Sequence, residues 1–263
     1  MNLKLDDKLA LVSGSTAGIG YAIAETLAAE GARVIVNGRT QKGVDEAVAS
    51  IRKSTGRTAL GFAGDLSTAE SADALVKAHP GIEILVNNLG IFEATPFEQI
   101  HDNDWRRFFD VNVLSGVRLA RLVLPAMRKA DWGRIIFISS ESGVQIPAEM
   151  VHYGMTKSAQ ISIARGIAET LAGTGITVNS VLPGPTKSRG VGDFVDSLAK
   201  EQGKSAAEFE KEFFESVRPT SLIKRFATPQ EVASLVAYVA SPLSSATTGA
   251  ALRVDGGAVK SAF

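Results

Sequence analysis

Cysteine is missing from the 263 residues, and histidine occurs only three times. Without cysteine the chain has neither a disulfide framework nor a thiolate metal site, and three scattered histidines give no basis for a metal centre. Long hydrophobic runs are missing too, because no segment approaches the roughly 18 uninterrupted apolar residues of a membrane span. The stretch Met1–Lys8 lacks the apolar core of a signal peptide. We therefore expect a soluble cytoplasmic protein without a metal.

An excess of charge of either sign is also missing, since 28 Lys and Arg balance 28 Asp and Glu. A neutral chain exerts no long-range attraction on nucleic acid or on an anionic membrane. The composition is otherwise that of a globular protein, with 45% apolar residues to form a core. This balance favours a small-molecule partner over nucleic acid or a membrane.

The chain does contain a regular alternation of short β-branched runs with segments of helical period, which is typical of βαβ units around a parallel sheet. The predicted strands are Leu9–Ser13, Arg33–Asn37, Thr58–Ala63, Ile82–Asn87, Arg134–Ser139, Ile176–Val181 and Ala251–Val254. The predicted helices lie near residues 18–30, 41–54, 68–78, 98–110, 112–129, 153–173 and 229–240. Because no linker divides the chain, we predict one doubly wound, Rossmann-type α/β domain over residues 1–263, with a parallel sheet of about seven strands and helices on both faces.

The stretch 188–218 departs from this alternation, because two amphipathic helical patterns replace the expected strand. Their apolar residues are Phe194, Val195 and Leu198 in the first, and Phe209, Phe213, Phe214 and Val217 in the second. An excursion of this length is often a substrate lid, and a helical hairpin that fills the sheet edge is the alternative. The aromatics favour an apolar or moderately bulky carbonyl compound. The net charge of 188–217 is −3, which disfavours a strongly anionic substrate such as an acyl chain on an acidic carrier protein.

A glycine-rich loop connects the first predicted strand to the first predicted helix with the spacing G-x-x-x-G-x-G. Glycines permit a tight turn and a close approach of pyrophosphate, and the free N–H groups at the helix start receive negative charge. The candidate cofactor contacts in this loop are Gly14, Ser15, Thr16, Gly18, Ile19 and Gly20. The loop predicts a dinucleotide site.

The end of the second strand indicates which dinucleotide is preferred. An NAD site usually has an acid about 20 residues past the glycines, where it binds the ribose 2′-OH. Here the sequence is Asn37-Gly38-Arg39-Thr40, and Arg39 can form a forked pair with a 2′-phosphate. Ser15 and Thr16 could add hydroxyl donors. We predict NADP(H), with NAD(H) as the alternative.

Tyr153 and Lys157 lie four residues apart on a predicted helix, so their side chains share one face. A free tyrosine has a pKa of about 10, and a nearby ammonium lowers that pKa towards the range of acid–base catalysis. Ser140 follows a buried strand, at the sheet edge where ligands bind in doubly wound folds. These three residues predict an acid–base site in the same crevice as the glycine-rich loop.

Together these motifs resemble those of the classical short-chain dehydrogenase/reductase family, from about Leu5 to Gly257. The matching segments are the glycine-rich loop, Asp65-Leu66, Asn87-Asn88-Leu89-Gly90, Pro183-Gly184-Pro185-Thr186 and Val254-Asp255-Gly256-Gly257, together with Asn112, Ser140, Tyr153 and Lys157 in the order of the family's catalytic tetrad. The resemblance implies that hydride moves between a nicotinamide and a ketone or secondary alcohol.

The resemblance also implies a role for each residue of the tetrad. Tyr153 would exchange a proton with the substrate oxygen, and Ser140 would donate a hydrogen bond to that oxygen. Lys157 would lower the pKa of Tyr153 and bind the nicotinamide ribose. Asn112 would anchor a water molecule that passes protons onward from Lys157.

The resemblance implies further cofactor contacts, namely Asp65, Leu66, Asn88, Gly90, Tyr153, Lys157, Pro183, Gly184 and Thr186. Plausible walls of the substrate pocket are Leu89, Phe92, Gln145 and Ile146. Leu89 departs from the family pattern, because it replaces a small alanine. His152 is expected at the surface or at the pocket rim. By analogy with the family, the helices 112–129 and 153–173 would pair in a homodimer or homotetramer.

Two other functions remain open at this point. One is an NAD-dependent alcohol or sugar dehydrogenase, which Arg39 disfavours. The other is a non-catalytic dinucleotide-binding sensor or scaffold on the same fold, since a fold does not fix a function. The intact set of Ser140, Tyr153 and Lys157 disfavours this second alternative.

Overall fold

The structure is a computed structural model that describes residues 2–188 and 204–262. The strands are β1 (Leu9–Val12), β2 (Arg33–Gly38), β3 (Leu60–Ala63), β4 (Ile84–Asn87), β5 (Gly133–Ile138), β6 (Ile176–Pro183) and β7 (Ala251–Val254). The described α-helices are α1 (Gly18–Ala29), α2 (Gln41–Thr55), α3 (Ala69–Ala78), α4 (Asp102–Phe109), α5 (Ser115–Ala130), α6 (Val151–Glu169), α7 (Ala206–Ser216) and α8 (Pro229–Ala240).

The seven strands form one parallel sheet in the order β3-β2-β1-β4-β5-β6-β7. The direction of strand addition reverses between β1 and β4, and this reversal opens a crevice at the carboxyl ends of the strands. The predicted α/β class and the parallel sheet of about seven strands are confirmed.

Helices cover both faces of the sheet. On one face α1, α2 and α8 pack against the strands through buried residues such as Ile23 and Val236. On the other face α3, α5 and α6 contribute residues such as Leu75 and Leu119. Strands β1, β4 and β5 are buried along their whole length, which explains why apolar residues follow one another in them instead of alternating with polar ones; Asn87 and Arg134 are the exceptions.

Several helix ends differ from the predicted ones for local reasons. The helix expected from residue 98 begins at Asp102, because a 3-10 turn at Phe97–Gln99 is followed by extended Ile100. A π-helical turn, Asp110–Leu114, joins α4 to α5. The helix expected over 153–173 is α6, which begins at Val151 and ends at Glu169.

The predicted excursion 188–218 is only partly visible. Its first amphipathic pattern, around residues 194–198, lies outside the described residues. The second is α7, whose Phe213 and Phe214 pack against Phe226 with ring centroids 5.0 and 5.1 Å apart. These aromatic side chains, together with the partly buried Phe209, form a small core of their own. None of the described helices combines the length and apolarity that a bilayer crossing requires.

Candidate active site

The carboxyl ends of β1, β4, β5 and β6 lie along one edge of the sheet. Each strand leads directly into a segment that the sequence singled out: the glycine-rich loop after β1, Asn88–Gly90 after β4, Ser139-Ser140 after β5 and Gly184–Thr186 after β6. The fold therefore brings these separate segments to the same crevice.

The glycine-rich loop has the backbone that only glycine adopts easily. Gly14 and Gly18 have φ angles of +61° and +60°, in the left-handed region. Gly20 has no room for a side chain, because a Cβ there would lie 2.5 Å from the carbonyl oxygen of Gly14. The loop ends where α1 begins, at Gly18, so the free N–H groups and the positive end of the helix dipole face it. This arrangement fits a pyrophosphate.

Asn88 fixes the glycine-rich loop to the loop after β4. Its Nδ2 donates hydrogen bonds to the carbonyl oxygens of Ser13 and Gly14 at 3.0 and 2.9 Å. The hydroxyl of Ser13 accepts hydrogen bonds from the main-chain N–H groups of Asn88 and Leu89, both at 3.0 Å. Asn88 and Ser13 thus fix the glycine-rich loop and the loop after β4 relative to each other.

The hydroxyl of Ser15 does not point outward as a donor to the cofactor, as the sequence had led us to expect. Its hydroxyl donates to the carbonyl oxygen of Val12 at 2.7 Å and accepts from the N–H of Asn37 at 2.9 Å. Its own N–H donates to the carbonyl oxygen of Asn37 at 2.8 Å. Because Ser15 is fully buried and its polar groups are bonded within the loop, it shapes the loop and is not placed to donate to a phosphate. Thr16 and Ile19 are half-buried at the same loop.

Arg39 extends from the end of β2 as an exposed side chain. Among the described residues no carboxylate forms an ion pair with it. A Cβ at the preceding Gly38 would overlap the Cγ2 methyl of Thr16, so a larger residue there requires the threonine side chain to move. The end of β2 therefore offers an exposed guanidinium and no acid.

Asp65 and Leu66 follow β3, where the family pattern implies adenine contacts. Asp65 is exposed, and its Oδ1 accepts a hydrogen bond from the N–H of Ser67 at 2.9 Å. The side chain of Leu66 is buried in the core beneath α3 and α5. Only the main chain of Leu66 can therefore face a ligand.

The turn after β6 approaches the last strand closely. A Cβ at Gly184 would lie 2.5 Å from the carbonyl oxygen of Asp255, so only glycine fits this position. The hydroxyl of Thr186 donates to the carbonyl oxygen of Gly184 at 2.9 Å. Pro183 is the last residue of β6, and the turn beside it lies at the same edge of the sheet as Ser140.

Ser140, Tyr153 and Lys157 converge in a buried corner between β5 and α6. The Ser140 hydroxyl lies near enough to the Tyr153 phenol to lower its pKa, and Ser140 Oγ accepts a hydrogen bond from the N–H of Ser142 at 3.1 Å. The ammonium nitrogen of Lys157 lies 5.5 Å from the centroid of the Tyr153 ring. Lys157 Nζ donates to the carbonyl oxygen of Ile138 at 2.9 Å and to Oε1 of Gln160 at 3.2 Å. The geometry thus combines a hydroxyl donor, a phenol and an ammonium.

Burial dominates the proton affinities of this corner. It raises the pKa of Tyr153 to about 12, against a lowering by the hydrogen bond from Ser140. Burial also lowers the pKa of Lys157 to about 7. The expected lowering of the tyrosine pKa below its usual value is therefore not present in the chain by itself, because the loss of solvation outweighs the stabilising partners.

Asn112 lies in the π-helical turn, and its side chain is bonded to neighbouring protein groups. Its Oδ1 accepts from the N–H of Ile91 at 2.7 Å, and its Nδ2 donates to the carbonyl oxygen of Ile91 at 2.9 Å and to Oγ1 of Thr156 at 3.0 Å. Its main-chain carbonyl oxygen accepts from Nε2 of Gln160 at 2.6 Å. Gln160, and not only a water molecule as the sequence suggested, connects Asn112 to Lys157.

Gly90 places the loop after β4 beside Asn112 and Lys157, with enough space for a Cβ at this position. A Cβ there would lie 3.4 Å from Oδ1 of Asn112 and 3.6 Å from Nζ of Lys157. Leu89, next to it, is half-buried against the core beneath α3 and α5. Part of the Leu89 side chain is therefore accommodated by packing against this core.

The predicted pocket walls lie at the mouth of the crevice and not deep inside it. Phe92 is 60% exposed and Ile146 is 46% exposed. Gln145 is exposed as well, and its N–H donates to the carbonyl oxygen of Glu141 at 2.9 Å. These residues form an open rim around the Ser140 corner.

The sequence did not single out a buried ion pair beside Ser140. Nε of Arg218 lies 3.1 Å from Oε1 of Glu141, the residue after Ser140. Nη1 of Arg218 lies 3.2 Å from Oε1 of Glu149. Glu141 could have been noticed from its position next to Ser140, whereas no sequence motif marks Arg218.

His152 also differs from its expected position. It is buried, with its ring centroid 4.0 Å from that of Phe108 and 6.0 Å from that of Trp105. Burial lowers its pKa. His152 is therefore a packing residue between α4 and α6, and not a surface or rim residue.

Comparisons with known proteins agree with this arrangement. Residues 14–259 match the family model described as enoyl-(acyl carrier protein) reductase. An uncharacterized oxidoreductase of Bacillus subtilis (strain 168), YvaG, is 47% identical over 264 residues, which cover 100% of both chains. Dehydrogenase/reductase SDR family member 4 of Caenorhabditis elegans is 34% identical and covers 97% of this chain and 96% of the relative. The chain belongs to the short-chain dehydrogenase/reductase family.

The solved structures support the same assignment for this short-chain dehydrogenase/reductase. L-Sorbose reductase from Gluconobacter frateurii, crystallised with NADPH and L-sorbose, has a TM-score of 0.94 at 31% identity. The similarity covers 99% of this chain and 100% of that chain. This short-chain dehydrogenase/reductase is thus an oxidoreductase that acts on CH–OH and C=O groups.

Proposed function

We propose that this short-chain dehydrogenase/reductase transfers a hydride between NADP(H) and a ketone or secondary alcohol, with Tyr153 as the general acid or base. The observation that carries the proposal is the convergence of Ser140, Tyr153 and Lys157 at the sheet edge that also holds the glycine-rich loop. A dinucleotide sensor would require the loop but not this corner.

Each residue of the corner has a chemical task in this proposal. When bound, the nicotinamide cofactor supplies or accepts the hydride, while the protein supplies position and electrostatics. Tyr153 donates its Oη proton to the carbonyl oxygen during reduction and takes a proton from the alcohol during oxidation. Ser140 donates a hydrogen bond to the same oxygen and stabilises its developing charge. The ammonium of Lys157 stabilises the phenolate that remains.

Replacing Tyr153 with phenylalanine tests the acid–base role. We expect Tyr153→Phe to lower kcat for carbonyl reduction by roughly 10²–10⁴-fold, because the proton donor is lost. Binding of NADPH should change little, since the ring remains. Steady-state kinetics on a panel of ketones and nicotinamide fluorescence measure the two quantities.

Tyr238→Phe is a suitable control, because Tyr238 is an exposed tyrosine on α8. It should leave both quantities unchanged. If Tyr153→Phe kept its activity, the acid–base role would be wrong. If the native enzyme bound NADPH but turned over no carbonyl or alcohol, the sensor function would be favoured instead.

The preference for NADP(H) is proposed from the end of β2. Arg39 is an exposed guanidinium there, and Gly38 and Asn37 supply no acid for a ribose 2′-OH. NADP(H) carries a 2′-phosphate, which a guanidinium binds with paired hydrogen bonds. NADPH in the L-sorbose reductase structure agrees with this preference.

Removing the guanidinium tests this preference. We expect Arg39→Ala to weaken NADPH binding about 10–100-fold, since hydrogen bonds to charged groups contribute about 1.5–3 kcal/mol, and to leave NADH binding unchanged. Arg33→Ala is a matched control, because Arg33 is an exposed arginine at the opposite end of β2. Equal NADH and NADPH affinities in the native enzyme would favour an NAD-dependent alcohol or sugar dehydrogenase.

The proposal also covers the substrate and the assembly. The rim around Phe92 and Ile146 is partly apolar, which favours an apolar or moderately bulky carbonyl compound, and the net charge of −3 over 188–217 disfavours a substrate on an acidic carrier protein. We propose the segment 188–218 as a substrate lid, within one domain that spans 1–263.

An apolar groove between α5 and α6, lined by Val117, Leu124 and Ile167, supports a homo-oligomer. The cytoplasm is the proposed location.

A further inference from the structure

Arg218 joins the chain that follows α7 to the catalytic corner. Its side chain is only 12% exposed, and its Nε and Nη1 lie 3.1 and 3.2 Å from carboxylate oxygens of Glu141 and Glu149. Glu141 directly follows Ser140, and Glu149 lies four residues before Tyr153. One guanidinium therefore holds both of the short turns that lie between the catalytic serine and the catalytic tyrosine.

The two ion pairs of Arg218 are not equivalent. The Glu149 side chain is 46% exposed, so water screens its charge and the pair contributes little. The Glu141 side chain is 6% exposed, and its second carboxylate oxygen accepts a hydrogen bond from Ser142 Oγ at 2.9 Å. A carboxylate buried to this extent requires a positive partner. Arg218 is the partner of Glu141 first and of Glu149 second.

The charge of Glu141 bears directly on Tyr153. Burial and the negative charge of Glu141 raise the pKa of Tyr153, whereas the hydrogen bond from Ser140 and the positive charge of Arg218 lower it. Lys157, on the same helix, also faces the tyrosine, with its Nζ 5.5 Å from the ring centroid. An unpaired carboxylate beside Ser140 would oppose the phenolate that the reaction has to form.

We propose that Arg218 is a positioning residue that neutralises Glu141 and so sets the pH range in which Tyr153 exchanges its proton. The inference rests on the proposed acid–base role of Tyr153. It assigns an electrostatic function in the reaction to a residue that lies 65 positions after the tyrosine and outside every motif of the sequence.

A set of charge variants tests the inference through the pH dependence of kcat/KM for alcohol oxidation, in which Tyr153 acts as the base. The limb of this pH profile is the pH range over which the rate rises as Tyr153 loses its proton. Arg218→Met should move the limb to higher pH by about one unit, because the negative charge of Glu141 is then no longer neutralised. The rate at a fixed pH below that limb then falls about tenfold. Glu141→Gln should move the limb to lower pH, because Arg218 is then unopposed. The double variant Glu141→Gln/Arg218→Met should return the limb to within about half a unit of the native position.

Two further variants separate charge from packing. Arg218→Lys keeps the positive charge, so its limb should stay near the native position. Arg225→Met breaks the exposed pair with Glu231 in the chain between α7 and α8, so it should shift nothing. A purely structural role of Arg218 predicts a lower rate at every pH with an unmoved limb, and a double variant no better than Arg218→Met. Either result would overturn the inference.

A direct titration keeps the inference apart from the proposed function. The ultraviolet absorbance of the Tyr153 phenolate, taken as the difference from a Tyr153→Phe background, reports the same shifts without any turnover. Native protein that lacks activity but shows the predicted phenolate shifts would contradict the proposed function and support the role of Arg218. Active protein with unshifted phenolate titrations would do the reverse.

Discussion

At the scale of single residues, the most consequential contacts are those of Lys157. Its ammonium is buried among neutral acceptors, the carbonyl oxygen of Ile138 and Oε1 of Gln160, and burial lowers its pKa to about 7. A group that has to be positive to stabilise a phenolate is therefore only partly charged near neutral pH. The hydrogen bond to Gln160 counteracts this, because an acceptor favours the charged form of its donor.

Replacing Gln160 with leucine removes this acceptor at similar volume. We expect Gln160→Leu to lower the pKa of Lys157 further, by about one unit, since hydrogen bonds to charged groups contribute about 1.5–3 kcal/mol. The decrease of kcat that accompanies deprotonation of the Lys157 ammonium should then occur at lower pH, and kcat at pH 7 should fall. A pH series of kcat measures both effects.

Gln230→Leu is the matched control, because Gln230 is exposed on α8. It should leave the profile unchanged. A Gln160→Leu enzyme whose rate fell equally at all pH values would show that Gln160 only supports packing between α6 and the π-helical turn.

The residues that could be predicted from the sequence are those whose signal is local. Tyr153 and Lys157 share a helix face, and Ser140 ends a buried strand, so spacing alone indicates that they meet. Gln160 carries only a weak signal, one turn beyond Lys157. Arg218 carries none, because 77 residues separate it from Glu141 and only the folded chain brings them together. The hydroxyl of Ser15 was expected to face the cofactor, but it bonds to Val12 and Asn37, because a hydroxyl in a loop can bond inward as well as outward.

At the scale of elements, the strands could be predicted because buried parallel strands have continuous apolar sequences. The start of α8 could be predicted as well, since Thr228 and Glu231 form a reciprocal cap before and within the first turn. The π-helical turn at Asp110–Leu114 could not, because its wider turn leaves no periodic pattern of its own. This turn places Asn112, so the least predictable element is one that positions a residue of the proposed tetrad.

The ends of α4 and α6 could not be predicted from the periodicity of the sequence. The sequence predicts helix through residues 98–101 and 170–173, yet the backbone is extended at Ile100, before α4, and α6 ends at Glu169. The caps of α4 and α6 carry no side-chain hydrogen bond, so no capping residue marked where these helices begin.

At the scale of the whole molecule, the buried lysine links stability to pH. Its pKa is 10.5 in the unfolded chain and about 7 in the folded one, so between these values the unfolded chain binds more protons. The free energy of unfolding therefore rises with pH from 7 towards 10. Tyr153 acts in the opposite sense at higher pH, because its folded pKa of about 12 exceeds the unfolded value of 10.0, and stability is lost as pH rises above 10.

Urea unfolding of the cofactor-free protein tests this linkage. Relative to the native protein, Lys157→Met should lose about 2 kcal/mol of the increase in unfolding free energy between pH 7 and pH 9, because one pKa unit corresponds to about 1.4 kcal/mol. Lys129→Met, at an exposed lysine of α5, should retain the native increase. If the unfolding free energy of Lys157→Met rose as much between pH 7 and pH 9 as that of the native protein, the Lys157 ammonium would be solvated in the folded state.

The close contact between Gly38 and Thr16 has a consequence for how the coenzyme preference can evolve. An aspartate at position 38 needs a Cβ where the Cγ2 methyl of Thr16 already lies. The single change Gly38→Asp therefore requires the Thr16 side chain to turn away or to be replaced by a smaller one, so positions 16 and 38 are coupled in any change of coenzyme preference. Descendants of this enzyme would reach an NAD-type ribose site more readily if a change of Thr16 to serine or alanine preceded Gly38→Asp.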